Sequence, residues 1–125
     1  METFAYFCKW ENEMEKLFEV QFLEEAYLFL KNMEPKHSEK IIYNIHKAQI
    51  KNDPELFKKL TDDIWELRTL YQGNQYRLLA FWDKTNIKST LVIATHGFVK
   101  KQSKVASKEI LKAKKIQLNY FKEKD

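Results

Sequence analysis

The apolar residues of this chain follow two different spacings, which predict where strands and helices lie. Phe18, Val20 and Phe22 alternate with polar residues, and this is the period of a half-buried strand. Across residues 23–33 the apolar positions recur every three or four residues, and Pro35 ends that segment. The pattern therefore predicts one strand followed directly by one helix.

A second helix is predicted after the proline. Ser38 is expected to cap it, and Asn52-Asp53-Pro54 is expected to close it. Because only a short turn separates the two helices, they should pack as an antiparallel pair. The apolar positions of the second helix are Ile41, Ile42, Ile45 and Ala48.

Alternation returns after Pro54, and a helical spacing returns from Ser103 onward. Short turns separate three alternating segments, which predicts an antiparallel meander with one face covered by the helix pair. The predicted strands are Ile64 to Tyr71, Gln75 to Asp83 and Lys88 to His96. The predicted order is β-α-α-β-β-β-α. It describes an α+β fold in which a small curved antiparallel sheet packs against an N-terminal helix hairpin and a C-terminal helix.

Length and composition narrow the class of protein. The 125 residues suit a single domain at residues 16–125, preceded by an N-terminal extension at residues 1–15. No apolar run reaches the roughly 20 residues that a bilayer requires. The single cysteine, Cys8, has no partner for an internal disulfide, and no secretory signal is recognisable. We therefore expect a cytoplasmic protein.

Charge is distributed unevenly along the chain. Residues 1–34 carry a formal charge of −5, residues 35–83 carry +1 and residues 84–125 carry +8, which together make the net +4. A basic face of this kind suits a phosphate backbone or an acidic partner. Alternatively, the lysines merely solvate a C-terminal helix, and charge by itself leaves both interpretations open.

Three motifs in order carry a resemblance to a known family. They are WELR within KKLTDDIWELR, YR within NQYRLLAFWD, and HGFVKK within LVIATHGFVKKQSK, followed by KEILKAKK. The chain resembles the RelE/ParE superfamily of toxins from type II toxin–antitoxin modules, and within it the HigB-type, phage-related branch. The resemblance covers about residues 16 to 122. One departure is Val105-Ala106, where relatives often open the last helix with threonine and proline.

The resemblance implies an mRNA interferase, an endoribonuclease that enters the ribosomal A site, cuts the messenger and inhibits translation. It implies a RelE-like domain with no metal and no cofactor. The expected partners are the ribosome, messenger RNA and a cognate antitoxin of the HigA-like, helix-turn-helix kind. Operator DNA would be bound only through that antitoxin. The apolar segment Phe4 to Trp10 is a candidate antitoxin contact.

Cleavage without a metal needs a proton acceptor, cations for the phosphorane charge and a proton donor. Arg68 and Arg77 lie on adjacent predicted strands, can share one face and have guanidinium groups that suit phosphate. Crowded cations lower lysine pKa values, which favours proton transfer near neutral pH. The predicted catalytic residues are Arg68, Arg77, Lys100, Lys101 and His96, and the predicted RNA-binding residues are Lys58, Lys59, Lys104 and Lys108.

Each of these roles has a structural alternative. Arg68 pairs with Glu66 or Asp63 in one such alternative. Alternation places His96 on the side of Val92 and Ala94, where it would be a buried, hydrogen-bonded structural histidine. Trp65 and Trp82 are expected in the core rather than as base-stacking platforms.

Two other functions fit the same fold. One is a ParE-like toxin that inhibits gyrase, which needs no convergent cluster of arginine and lysine. The other is an inactive member that acts only in a repressor complex with its antitoxin and DNA.

Overall fold

The computed structural model describes residues 16–85 and 90–124, which form five strands and three helices. In chain order they are β1 (Glu19–Phe22), α1 (Glu24–Asn32), α2 (Pro35–Ile50), β2 (Phe57–Thr61), β3 (Ile64–Tyr71), β4 (Asn74–Asp83), β5 (Leu91–Lys100) and α3 (Ser107–Lys124). The candidate antitoxin contact at Phe4 to Trp10, Cys8 and the first two residues of the predicted last strand, Lys88 and Ser89, lie outside the described residues.

The five strands form one sheet in the order β1-β5-β4-β3-β2. The predicted α+β fold is confirmed, with the helix pair on one face of the sheet and the C-terminal helix on the other. The prediction of a purely antiparallel sheet is wrong, because β1 pairs in parallel with β5. Strands β2, β3 and β4 each pair antiparallel with the next strand along the chain. Strand β1 pairs with the free edge of β5.

Strand β2 is an additional edge strand, since the sequence predicted no strand between Pro54 and Ile64. It pairs antiparallel with β3. Its sequence, FKKLT, has two consecutive lysines and therefore lacks apolar alternation. Phe57 is its one buried residue, and Lys58 and Lys59 are exposed. Lysines on an edge strand discourage pairing with another chain.

Helix α2 begins at Pro35 rather than after Ser38, so the predicted cap is wrong. Pro35 occupies the first turn, where its missing N–H costs no hydrogen bond. Ser38 lies inside that turn and donates its hydroxyl to the Pro35 carbonyl. The turn between β3 and β4 is confirmed: Gln72 and Gly73 both have positive φ, as a tight two-residue hairpin requires.

Apolar side chains form two separate cores, one on each face of the sheet. Trp65 and Trp82 pack against the core under α1 and α2, which confirms their predicted place. None of the helices in the described part of the chain is long and apolar enough to span a bilayer. The core under α3 is smaller and consists of the buried residues Ile64, Leu79, Phe81, Ile93 and Ala113.

Candidate functional site

The two arginines of the WELR and YR motifs meet on the face of the sheet that α3 partly covers. Alternation along β3 puts Glu66 and Arg68 on the same face as Ile64, which belongs to the core under α3. Arg68 lies directly opposite Arg77 of β4. The prediction that these arginines share one face is therefore confirmed.

Lysines from the flanking strands join them. Lys58 of β2 lies directly opposite Glu66, and Lys100 of β5 lies opposite Gln75, two residues along β4 from Arg77. We refer to Lys58, Arg68, Arg77 and Lys100 around Glu66 as the basic cluster. Four cations against one carboxylate leave the cluster with a formal charge of +3.

Glu66 holds both arginines of the basic cluster. Its Oε1 lies 2.9 Å from Arg77 Nε and 3.4 Å from Arg68 Nε, and both are ionic contacts rather than aligned hydrogen bonds. Glu66 is only 6% exposed. A buried carboxylate between two guanidinium groups compensates charge that would otherwise be unpaired in the protein interior.

The two arginines differ in what they are able to contact. Arg77 is 3% exposed, and its guanidinium donates to the Tyr76 carbonyl at 3.0 Å and to Gln75 Oε1 at 3.1 Å. Arg68 has 30% of its side chain exposed, and its Nη1 donates to the Pro54 carbonyl at 3.4 Å. Arg68 is therefore accessible to a phosphate, whereas Arg77 is buried and influences its surroundings only through its charge.

Lys100 has an altered electrostatic environment. Partial burial lowers its pKa, the positive charges of Arg77, Arg68 and Lys58 lower it further, and Glu66 opposes them. Burial also lowers the pKa of Arg77, against the opposing effect of Glu66. An arginine still keeps its charge, but a lysine with a lowered pKa is able to exchange a proton nearer neutral pH.

The other predicted lysines divide into two groups. Lys101, Lys104 and Lys108 line a shallow cleft of about 210 Å³ between the end of β5 and the beginning of α3, and Lys100 also lines it. Lys59 lies opposite Trp65, on the face that α1 and α2 cover, so it does not join the basic cluster. The predicted pair Lys58 and Lys59 is thus divided between the two faces.

His96 faces α3, and its predicted place beside Val92 and Ala94 is wrong. The register between β4 and β5 shifts by one residue after Ala94, which leaves Thr95 as an extra residue and reverses the alternation. His96 is 3% exposed, and its Nε2 lies 3.1 Å from Glu109 Oε1. Burial lowers its pKa and the hydrogen bond to Glu109 opposes this. The residue therefore links β5 to the first turn of α3 and has no exposed surface for RNA.

Gly97 is required by packing. A Cβ atom at this position would collide with the ring of Phe29 in α1. The next residue, Phe98, packs partly buried against the core under α3. The HGF motif thus fixes how the helix pair and α3 approach β5 from opposite sides.

The other end of the same face is held by Asp83, which is wholly buried. Its carboxylate accepts hydrogen bonds from the Thr85 backbone N–H and hydroxyl, accepts one from Tyr120 at 2.6 Å, and lies 3.2 Å from Lys124 Nζ. Burial alone raises the pKa of Asp83, but these hydrogen bonds outweigh it and hold the pKa below its ordinary value. We call Asp83, Thr85, Tyr120 and Lys124 the anchored end.

Glu66 contacts both arginines of the basic cluster, but the sequence indicated it only as an alternative partner for Arg68. Its place in WELR, two residues before an arginine on an alternating strand, put it on the arginine face. Only the strand register shows that Arg77 also reaches it. No group of three or more histidine, cysteine, aspartate and glutamate side chains able to hold a metal occurs within residues 16–85 and 90–124.

A comparison with protein families matches residues 28–117 to the phage derived protein Gp49-like family (DUF891). This match covers well over half of the 125 residues and includes the whole basic cluster. The chain belongs to this family. Gp49-like proteins are a toxin-like, RelE-like family of type II toxin–antitoxin systems. No curated protein matches the sequence.

Membership confirms the coarser part of the resemblance, a toxin of a toxin–antitoxin system with a RelE-like fold. A Gp49-like toxin implies a cognate antitoxin. The HigB-type branch and the roles of individual residues stay predictions.

Proposed function

We propose that this Gp49-like toxin is a metal-independent endoribonuclease that cuts messenger RNA on the ribosome and is silenced by its cognate antitoxin. The observation that carries the proposal is the basic cluster. It combines an accessible guanidinium, Arg68, with a neighbouring lysine, Lys100, whose pKa is lowered. The proposal places the protein in the cytoplasm, where its substrate is.

Cleavage by this cluster would follow the ordinary transesterification of RNA. The ribose 2′-oxygen attacks the adjacent phosphorus and passes its proton to neutral Lys100. The bond from phosphorus to the 5′-oxygen breaks, and water supplies the proton that this oxygen takes up. The products are a 2′,3′-cyclic phosphate and a 5′-hydroxyl. A lowered lysine pKa favours this reaction because it raises the fraction of neutral amine.

The surrounding cations have supporting roles in this scheme. Arg68 and Lys58 contact the phosphate that gains charge in the transition state. Arg77 stays buried and contributes its field, while Glu66 holds both arginines in place. The exposed lysines of the cleft, Lys101, Lys104 and Lys108, bind the RNA backbone next to the reacting phosphate.

Dependence on the ribosome fits the shape of the site. The cleft of about 210 Å³ is open and shallow, and the charged groups lie on a sheet face rather than in an enclosed pocket. Such a face binds phosphate well but has little surface to orient a flexible RNA strand. A ribosome that presents the messenger in a fixed conformation supplies that orientation.

The test is to induce the protein from a tightly repressed promoter and to map the 5′ ends of cellular transcripts. We expect codon-linked cuts in translated messages, and no cuts in a transcript whose start codon has been removed. Arg68→Ala and Lys100→Ala should abolish the cuts. Lys36→Ala changes an exposed lysine of α2, on the opposite side of the sheet, and should leave them unchanged.

Three results would contradict the proposal. DNA breaks with intact messenger would indicate a ParE-like gyrase inhibitor. Unimpaired growth of the induced strain would indicate an inactive member that acts only in a repressor complex. Equal cutting of translated and untranslated transcripts would refute the dependence on the ribosome.

A further inference from the structure

Helix α3 presents a regular row of exposed side chains on the side that faces away from the sheet. Leu111 is 66% exposed and Leu118 is 68% exposed, and they are two helical turns apart. Lysines precede, separate and follow them at alternating steps of three and four residues. We call Lys108, Leu111, Lys115, Leu118 and Lys122, all of them exposed, the outer row of α3.

Lysines elsewhere on α3 have carboxylate partners. Lys112 lies 2.7 Å from Glu25 and Lys114 lies 2.9 Å from Asp62, and Lys124 belongs to the anchored end. Within residues 16–85 and 90–124, by contrast, Lys108, Lys115 and Lys122 of the outer row form no ion pair. The lysines of α3 outside the outer row are therefore paired with carboxylates, whereas the outer row remains exposed with its positive charges and its leucines.

The composition of the outer row indicates which class of partner fits it. Two copies of the chain packed row to row would bring lysines against lysines, which is unfavourable. A nucleic acid would use the lysines but leave the leucines without contacts. A helix with leucines at the same spacing and acidic residues beside them would use both, as helices do when they pack through residues at steps of three and four.

We infer that the outer row of α3 is the docking site for an acidic, leucine-bearing amphipathic helix of the cognate antitoxin. The inference rests on the proposed function only for the existence of that partner, not for RNA cleavage. Lys108 also borders the cleft beside the basic cluster. A helix bound along the outer row would therefore end next to the site without having to enter it.

The test measures binding of the purified cognate antitoxin to the full chain by isothermal titration calorimetry. Leu111→Gln/Leu118→Gln removes the apolar contacts and keeps good helix formers, and we expect affinity to fall about tenfold or more. The matched control is Leu17→Gln/Leu28→Gln, at two exposed leucines outside α3. It should change affinity by less than about twofold.

A second pair of variants tests the charge. Lys115→Glu/Lys122→Glu should weaken binding about tenfold or more and reduce its dependence on salt. Lys36→Glu/Lys51→Glu makes the same change at the two ends of α2 and should retain both the affinity and the salt dependence. Circular dichroism melting of each variant confirms that it is folded.

Unchanged antitoxin affinity in both outer-row variants would overturn the inference. If those variants instead altered self-association, a second copy would be the occupant. If the outer-row variants lowered the melting temperature of the isolated chain more than the controls do, the outer row would contribute to the stability of the chain itself, and the inference would be overturned. Equal loss of affinity in the controls would also overturn the inference, because binding would then not be specific to α3.

This experiment is independent of RNA cleavage. A chain that binds antitoxin through the outer row but cuts no messenger would contradict the proposed function and leave the inference standing. Conversely, outer-row variants that cut messenger and escape the antitoxin would support both.

Discussion

The two ends of the sheet face under α3 treat their charged residues in opposite ways. At the anchored end, one buried carboxylate, Asp83, receives hydrogen bonds from Thr85 and Tyr120 and lies against Lys124. At the basic cluster one buried carboxylate, Glu66, faces four cations and leaves an excess of positive charge. The first arrangement is complete without any other molecule, and the second is not.

The charged groups of the anchored end stabilise the folded chain, whereas those of the basic cluster destabilise it. Hydrogen-bonded and paired charges lower the free energy of the folded chain, whereas crowded like charges raise it. The crowding persists beside a shallow open cleft, where a polyanion would relieve it. The other charged groups on this face are paired, so the unfavourable basic cluster is the candidate functional site.

The strongest way to break this contrast is to remove the carboxylate from the basic cluster. Glu66→Gln leaves the buried guanidinium of Arg77 without a counter-charge, and we expect a loss of about 3–5 kcal/mol in the free energy of unfolding. Urea denaturation measures it. Glu66→Leu/Arg77→Met removes both charges and should recover most of the stability. A loss in Glu66→Gln below about 1 kcal/mol would show that Arg77 does not depend on this pair.

The next test concerns the excess charge at the cluster. Lys100→Arg keeps the cation but replaces an amine whose pKa is lowered with a guanidinium that keeps its proton. We expect RNA affinity to be kept and the cleavage rate to fall about 100-fold, which corresponds to about 2.7 kcal/mol. The wild-type rate should rise with pH and the variant rate should not. A variant with the wild-type pH profile would exclude Lys100 as the proton acceptor.

The corresponding change at the anchored end should be smaller and should affect stability alone. Asp83→Asn loses the carboxylate that Thr85, Tyr120 and Lys124 share, and we expect a cost of about 2 kcal/mol at neutral pH. The folded-state pKa of Asp83 is depressed, so its contribution is present above the ordinary value of 3.8 and is lost as pH falls below it. Urea denaturation between pH 3 and pH 7 should show the difference between the two proteins becoming smaller at the acid end. A constant difference across that range would contradict this account.

The smallest expected effect is that of a single hydroxyl at the same end. The pKa of Tyr120 is raised to about 12 by burial and by the Asp83 carboxylate, so it remains a hydrogen-bond donor across the ordinary pH range. Tyr120→Phe removes that donor and keeps the ring against Phe81, and thermal melting should show a loss of about 1 kcal/mol. No effect would mean that Thr85 and Lys124 suffice to hold Asp83.

Much of the sheet could be predicted because its central strands alternate strictly. Ile64 to Tyr71 was predicted with the bounds that the structure has, and the next strand differs by one residue. The shared face of Arg68 and Arg77 followed from alternation together with a tight turn. Strand β2 could not be found in the same way, because an edge strand with two exposed lysines carries no apolar period.

The site could be predicted only in part. Lys58, Arg68, Arg77 and Lys100 do converge, but nothing local distinguishes the buried Arg77 from the accessible Arg68. Burial depends on the neighbouring strands and on where α3 ends. His96 was misplaced because one extra residue, Thr95, reverses every later side chain on its strand.

The amino-acid sequence by itself determined the strands and helices with strong periods, the basic C-terminal half, and membership of the Gp49-like family. These properties arise from residues close together in the chain or from composition. Only the tertiary structure decided that Glu66 pairs with both arginines, that His96 faces Glu109 and that Leu111 and Leu118 remain exposed. Those depend on strand register and on packing between distant segments, and no local pattern of residues determines either one.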